Sequence, residues 1–156
     1  MVTNNIKIQY PSTSCGQVCE NILRALPDWF GIESSLIQYV KDADIMPTML
    51  AQDENDFIGF ITIKKHFRES ADIHCMGILP KYHRKGIGKF LIKELEKYLK
   101  DEGVKLLQVK TLSTDRDCSA YAKTRAFYKA VGFFPLEVFP NWWDDANPCL
   151  LLVKQI

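Results

Sequence analysis

The chain has no long apolar run. Nothing in its 156 residues approaches the ~20 consecutive apolar residues that a helix needs to cross a bilayer, so no membrane span is expected. The opening stretch MVTNNIKIQYP has none of the apolar core of a signal peptide. Excess charge is lacking too. Lys and Arg number 20 against 19 Asp and Glu, a formal net charge of +1, which offers no global field to nucleic acid or an acidic partner. The five cysteines are an odd number, and no Cys or His cluster follows Cys15 and Cys19 to complete a zinc site. No metal is expected. The cysteines read as reduced thiols of a cytoplasmic protein, with Cys75 and Cys149 in strands and a Cys15–Cys19 redox pair as the minor alternative. Repeats, low-complexity tracts and linkers are missing as well. Residues 1–156 therefore read as a single domain, long enough to bury a real core.

What is present is a regular alternation of elements. Asn5–Tyr10 alternates as a first strand. Val18, Ile22, Leu23 and Leu26 mark a helix over Cys15–Leu26 that stops at Pro27, and Ile32–Val40 is a second helix. Pro47–Gln52 and Phe57–Lys65 form a hairpin about the polar turn Asp53–Asp56. Ala71–Leu79 is a strand ended by Pro80, with Asp72, His74 and Met76 alternating against Ile73 and Cys75. Ile87–Asp101 is a strong helix, with Ile87, Leu91, Leu95 and Tyr98 on its apolar stripe and Gly103 closing it. Val104–Leu112 is a strand, Ser119–Val131 a helix capped by Gly132, and Phe133–Phe139 and Cys149–Val153 are final strands. This order predicts an α/β mixed, mostly antiparallel sheet of about seven strands with about four helices on both faces, built around one strand–loop–helix–strand crossover.

The stretch YHRKGIGKFLIKELEKYL, Tyr82–Leu99, carries the clearest chemistry. A helix N-terminus leaves about four N–H groups without partners and bears roughly half a positive charge. A glycine-containing loop before it gathers such groups into a nest for phosphate or pyrophosphate. Gly86 and Gly88 remove obstructing Cβ atoms, while Lys81, Arg84, Lys85 and Lys89 add positive potential. The P-loop pattern fails, because Phe90 follows Gly88-Lys89, and the dinucleotide fingerprint fails at Leu91. A glycine-rich helix start among solvated lysines is the plain alternative.

Two motifs resemble the GNAT superfamily of acyl-CoA-dependent N-acetyltransferases. The first is Ile78-Leu79-Pro80 followed by Tyr82-His83-Arg84-Lys85-Gly86-Ile87-Gly88, similar to [QR]-x-x-G-x-[GA] after a strand. The second is Phe127-Tyr128-Lys129-Ala130-Val131-Gly132-Phe133, similar to F-Y-x-x-x-G-F. Both come in order and correctly spaced, and the element order agrees over nearly the whole chain. His83 stands where the signature has Gln or Arg, and Tyr121 where the last helix often carries Asn. That family uses the loop chiefly through backbone N–H groups, so the first departure is expected to leave binding intact.

The resemblance implies acetyl-CoA as co-substrate and direct attack by an amine in a ternary complex. It places the cofactor against the loop His83, Arg84, Lys85, Gly86, Ile87, Gly88 and Lys89, and against the strand edge Met76, Gly77 and Ile78. A backbone N–H near Ile78 then stabilises the oxyanion. Glycine inside a strand marks a bulge or a close backbone approach, and Gly77 otherwise reads as a packing residue. Tyr128 lies in the family's general-acid position, with aromatic packing as its alternative.

An amine of pKa ~10.4 must lose a proton to attack. Asp72 and His74 are the candidate bases: the resemblance implies the first, which lies fourteen residues before Gly86 where some members of that family carry a catalytic carboxylate, and an ordinary imidazole pKa of ~6.5 suits the second. Either reads alternatively as a polar residue on a solvated strand face. His66, in the run Lys64–Arg68, reads as a solvated strand end.

The resemblance assigns the acceptor wall to the first two helices and the last strands. Trp29, Phe30, Glu33, Trp142 and Trp143 are candidates there, with Asp144 and Asp145 beside them. Aromatics with carboxylates suit a cationic amine, while Asp144-Asp145 also reads as a surface turn. The expected activity is acetyl transfer to a primary amine of a small molecule. A protein or peptide acceptor and a non-catalytic acyl-CoA-binding module are the alternatives. The expected partners are acetyl-CoA and an amine, without nucleic acid or membrane, and a homodimer is allowed.

Overall fold

The computed structural model describes residues 5–156. Residues 1–4, the start of the stretch MVTNNIKIQYP, lie outside the described residues. Among the described residues the elements are β1 (Ile6–Ser12), α1 (Gly16–Arg24), α2 (Glu33–Ile45), β2 (Thr48–Asp53), β3 (Asp56–Phe67), β4 (Ser70–Ile78), α3 (Ile87–Asp101), β5 (Leu106–Leu112), α4 (Ser119–Ala130), β6 (Phe134–Asp144) and β7 (Asn147–Gln155). The strands form one sheet in the order β1-β2-β3-β4-β5-β7-β6. The pairs β1–β2, β2–β3, β5–β7 and β6–β7 are antiparallel. β4 and β5 run parallel, from Ser70 opposite Leu106 to Ile73 opposite Val109. The expected mixed, mostly antiparallel sheet with four helices is the fold observed.

Three expectations need correction. The second helix runs to Ile45 rather than Val40, so Asp42 and Ala43 belong to it and are buried. β6 runs through Trp142 and Trp143 to Asp144, because the β7 partner continues opposite it to Asn147. On α3 the buried stripe is Ile87, Leu91, Ile92, Leu95 and Leu99, whereas Tyr98 is half-buried beside the ring of Tyr10. Tyrosine keeps its polar tip near water, and the fully apolar Leu99 takes the inner position.

α3 and α4 end in the same way. Gly103 and Gly132 adopt φ of 86° and 99°, conformations in which a Cβ is strained. Gly103 N–H donates to Lys100 and Val104 N–H to Leu99. Gly132 N–H donates to Lys129 and Phe133 N–H to Tyr128. This is the Schellman arrangement, completed by an apolar contact between the residue after the glycine and the one three places inside the helix. In α4 those residues are Phe133 and Tyr128, with ring centroids 5.5 Å apart. The spacing Tyr-x-x-x-Gly-Phe is thus a helix stop that also fixes a tyrosine.

The chain divides into two compact units. One takes residues up to Lys64 with His74–Tyr98, and the other Lys65–Ile73 with Leu99–Ile156. The core of the first holds Cys19, Ile22, Leu23, Leu26, Leu36, Ala43, Leu50, Phe60 and Cys75. Each fully buried Leu or Ile contributes about 1.5–3 kcal/mol. In the second unit Leu107, Val109, Phe133, Cys149 and Leu152 are buried.

Candidate active site

In the first unit, β4 leads into the glycine loop. Tyr82 N–H donates to Leu79 O (2.9 Å) and His83 N–H to Pro80 O (3.0 Å), closing a 3-10 turn over Pro80–Tyr82. Arg84 (φ 61°) and Gly86 (φ 82°) are then left-handed, which is ordinary for glycine and uncommon for arginine. Left-handed residues interleaved in a turn are what make a backbone nest for anions. α3 begins directly afterwards. Its first helical bond runs from Phe90 N–H to Gly86 O (3.0 Å), so the N–H groups of Ile87, Gly88 and Lys89 have no acceptor within the helix. Backbone shape, helix end and basic residues all fit a pyrophosphate. Two of those cations share one ring: the ammonium groups of Lys81 and Lys85 lie 5.1 and 5.4 Å from the Tyr82 centroid. The Tyr82 hydroxyl donates to Asp53 (2.8 Å), and that bond raises the phenol pKa.

His83 is turned back to the strand. Its Nε2 lies 2.6 Å from Ile78 O, and since a carbonyl only accepts, Nε2 carries the proton. The Trp29 ring meets it edge-on at 5.7 Å. Gly77 is a packing glycine in this structure: a Cβ there would lie 2.9 Å from Phe60 and 3.1 Å from Ile22. Neighbouring Met76 and Ile78 are half-buried.

An aromatic chain leads from the α1–α2 connection to β4. Phe30 meets Tyr39 edge-on at 5.9 Å, and Tyr39 meets His74 at 5.5 Å. His74 Nε2 is 2.7 Å from Oδ2 of Asp42, whose Oδ1 accepts from Gln38 at 2.9 Å. Within the first unit, Trp29 and Ile78 thus meet His83, while Phe30 is linked through Tyr39 to His74. Glu33 is engaged elsewhere: Arg24 grips it with two nitrogens, at 2.8 and 3.1 Å, and holds its carboxyl below the usual pKa.

The second unit holds the other candidates. Asp72 is 5% exposed, not on a solvated face. Its Oδ2 takes Lys110 Nζ at 2.6 Å, with Gln108 Nε2 and His66 Nε2 each at 3.3 Å. Although Asp72 and His74 lie two residues apart, they serve different clusters. Lys110 Nζ also lies 5.3 Å from the Trp142 ring. Tyr128 is buried on α4 between Phe127 (5.3 Å) and Phe133 (5.5 Å). Trp142 and Trp143 are 57% and 43% exposed on β6. Asp144 is a turn residue, accepting from Ala146 N–H (2.9 Å) and the Asn147 amide (2.9 Å).

All five cysteines are free thiols, four of them buried. Burial pushes Cys19 up to about 12, which leaves it without the thiolate that redox chemistry needs. Among the described residues no group of three or more His, Cys, Asp or Glu is placed to hold a metal, and no helix is long and apolar enough to cross a membrane.

Sequence reasoning missed Asp42, Tyr39 and Lys110. The signal for Asp42 was an acid in step with the stripe Leu36, Tyr39, Ala43, hidden when the helix is ended at Val40. Lys110 carries no local mark, since its partner is 38 residues away.

Residues 17–133 match the model of the acetyltransferase (GNAT) family. The chain belongs to that family. It is also similar to an uncharacterised N-acetyltransferase of Chlorobaculum tepidum, 26% identical over 118 residues, 74% of this chain and 66% of that protein. The match thus spans just under two thirds of that relative's length. Two solved structures share the fold. A protein of the GNAT family from Desulfovibrio desulfuricans has a TM-score of 0.83 at 14% identity, covering 96% of this chain and 98% of that one. A GNAT family acetyltransferase from Elizabethkingia anophelis, solved with acetyl-CoA bound, has a TM-score of 0.75 at 19% identity, covering 99% and 100%.

Proposed function

We propose that this protein transfers the acetyl group of acetyl-CoA to a primary amine of a small molecule. The observation that carries this reading is the loop before α3, where left-handed Arg84 and Gly86 precede an open helix N-terminus among basic residues. Family membership and the acetyl-CoA of the Elizabethkingia relative support it.

Acetyl-CoA supplies an acyl group activated as a thioester. The N–H groups of Arg84 to Lys89 hold its pyrophosphate, and the Met76–Ile78 edge holds its pantetheine. A backbone N–H near Ile78 donates to the oxygen that gains charge. Of the two candidate bases, His74 takes the amine proton. Asp72 already receives three donors on one oxygen, which supports a positioning role for it. Tyr128 donates a proton to the departing sulfur. The aromatic chain of Phe30 and Tyr39 favours a cationic amine near His74, with Trp29 as a further acceptor contact beside His83. Trp142 and Trp143 are the further acceptor contacts in this reading.

Calorimetric titration with acetyl-CoA, with ATP and NAD as controls, tests the donor site. Binding of acetyl-CoA alone supports the reading. A panel of small amines and peptides, followed by thiol release, then tests the acceptor. Absence of acetyl-CoA binding overturns the proposal, and turnover confined to peptides overturns its small-molecule part.

A further inference from the structure

We infer that Asp42 is the positioning residue of a proton relay through His74. Asp42 fixes the imidazole so that Nε2 carries the hydrogen and Nδ1 is the acceptor. This rests on the transferase reading above and adds to it a residue on α2.

Both oxygens of Asp42 have assigned partners. Oδ1 accepts from Gln38 one helical turn back, and Oδ2 faces His74 Nε2 at 2.7 Å. A carboxylate between two donors does not rotate freely, so it holds the ring in one orientation. An ionised carboxylate only accepts, so the ring nitrogen facing it must bear hydrogen. Neutral His74 then has its lone pair on Nδ1. The Tyr39 ring, edge-on at 5.5 Å with its plane tilted 70° from the imidazole, braces the same ring. The His74 side chain is 21% exposed and that of Asp42 12%, so the histidine retains access to solvent while its orienting partner is almost enclosed. This is the arrangement in which a base is held by a third group.

The proton balance is complete. An ammonium acceptor, R–NH3+, gives one proton to Nδ1, and the imidazolium is stabilised by Asp42 and later discharged to solvent. The freed electron pair forms the carbon–nitrogen bond as the carbon–sulfur bond breaks. The thiolate takes its proton from the general acid of the transferase reading, which the remaining surplus N–H proton restores.

The test is histidine ring NMR of the full chain without ligand, at a pH where imidazoles are neutral. The sequence holds three histidines, so His74 is assigned by its loss in His74→Gln. The Nε2–H tautomer is expected in the wild type, and a shift toward Nδ1–H or a mixture in Asp42→Asn. With an amine substrate, Asp42→Asn is expected to lower kcat about 10- to 100-fold, leaving acetyl-CoA affinity unchanged. A wild-type Nδ1–H tautomer overturns the relay, and so does wild-type kcat in Asp42→Asn. The wild-type tautomer needs no variant, so a poorly folding Asp42→Asn cannot silence the test. Failure of the wild type to bind acetyl-CoA overturns the transferase reading and the relay with it. Binding together with the wrong tautomer overturns the relay alone.

Discussion

Replacing Lys110 by Met isolates the energetic role of the Asp72 cluster. The change keeps most of the side-chain volume and removes the charge. Lys110 Nζ is the nearest donor to Asp72 Oδ2, at 2.6 Å, and the Asp72 side chain is 6% exposed. Removing one partner of a buried ion pair typically costs about 3–5 kcal/mol, because the other charge is left without compensation. Gln108 and His66 remain at 3.3 Å, and they soften the loss to about 2–4 kcal/mol by the same reasoning. Against a total stability of ~5–15 kcal/mol, that loss is easily measured in urea by linear extrapolation at unchanged slope. The double variant Asp72→Asn/Lys110→Met removes the stranded charge as well, and should recover about 1–2 kcal/mol relative to Lys110→Met. A Lys110→Met protein within ~0.5 kcal/mol of wild type would refute the argument. So would a double variant less stable than Lys110→Met.

Gly86→Glu is expected to abolish acetyl-CoA binding in calorimetry, since it puts bulk and negative charge at a residue with φ of 82°; unchanged affinity would sink the loop assignment. Tyr128→Phe should keep that affinity and cut turnover roughly 100-fold, whereas full activity would leave Tyr128 as a packing residue. Stability should fall on the alkaline side. Burial raises Cys19 from 9.0 to about 12 and Cys149 to about 11, so above pH 9 the unfolded chain loses protons that the native chain keeps. Each thiol then lowers unfolding free energy by about 1.4 kcal/mol per pH unit until its native value is reached. Urea midpoints for Cys19→Ala should decline less steeply than wild type between pH 9 and 11, and parallel curves would refute the linkage.

Much of this molecule is legible in local pattern. The 3.6-residue spacing from Ile87 to Asp101 marks α3 because that helix buries one stripe and exposes the rest. Gly103 and Gly132 announce helix ends because few other residues tolerate a left-handed φ. The turn before α3 is legible for the same reason, since Gly86 takes a left-handed φ there. The spacing from Tyr128 to Phe133 was readable as well, because a helix stop and its apolar contact lie within six residues.

The partners of the candidate bases were not readable. Asp72 and His74 look alike in sequence, as alternate polar residues of one strand. Packing separates them: one meets Lys110 from β5, the other Asp42 from α2, 38 and 32 residues away. At Gly77 the space a Cβ would need is filled by Phe60 and Ile22, which no local pattern along the chain shows. Periodicity, turn chemistry and the left-handed turn before α3 follow from neighbours along the chain, so the sequence by itself determined them. Which carboxylate meets a lysine and which meets a histidine depends on side chains that come together only after burial. Only the tertiary structure decided that.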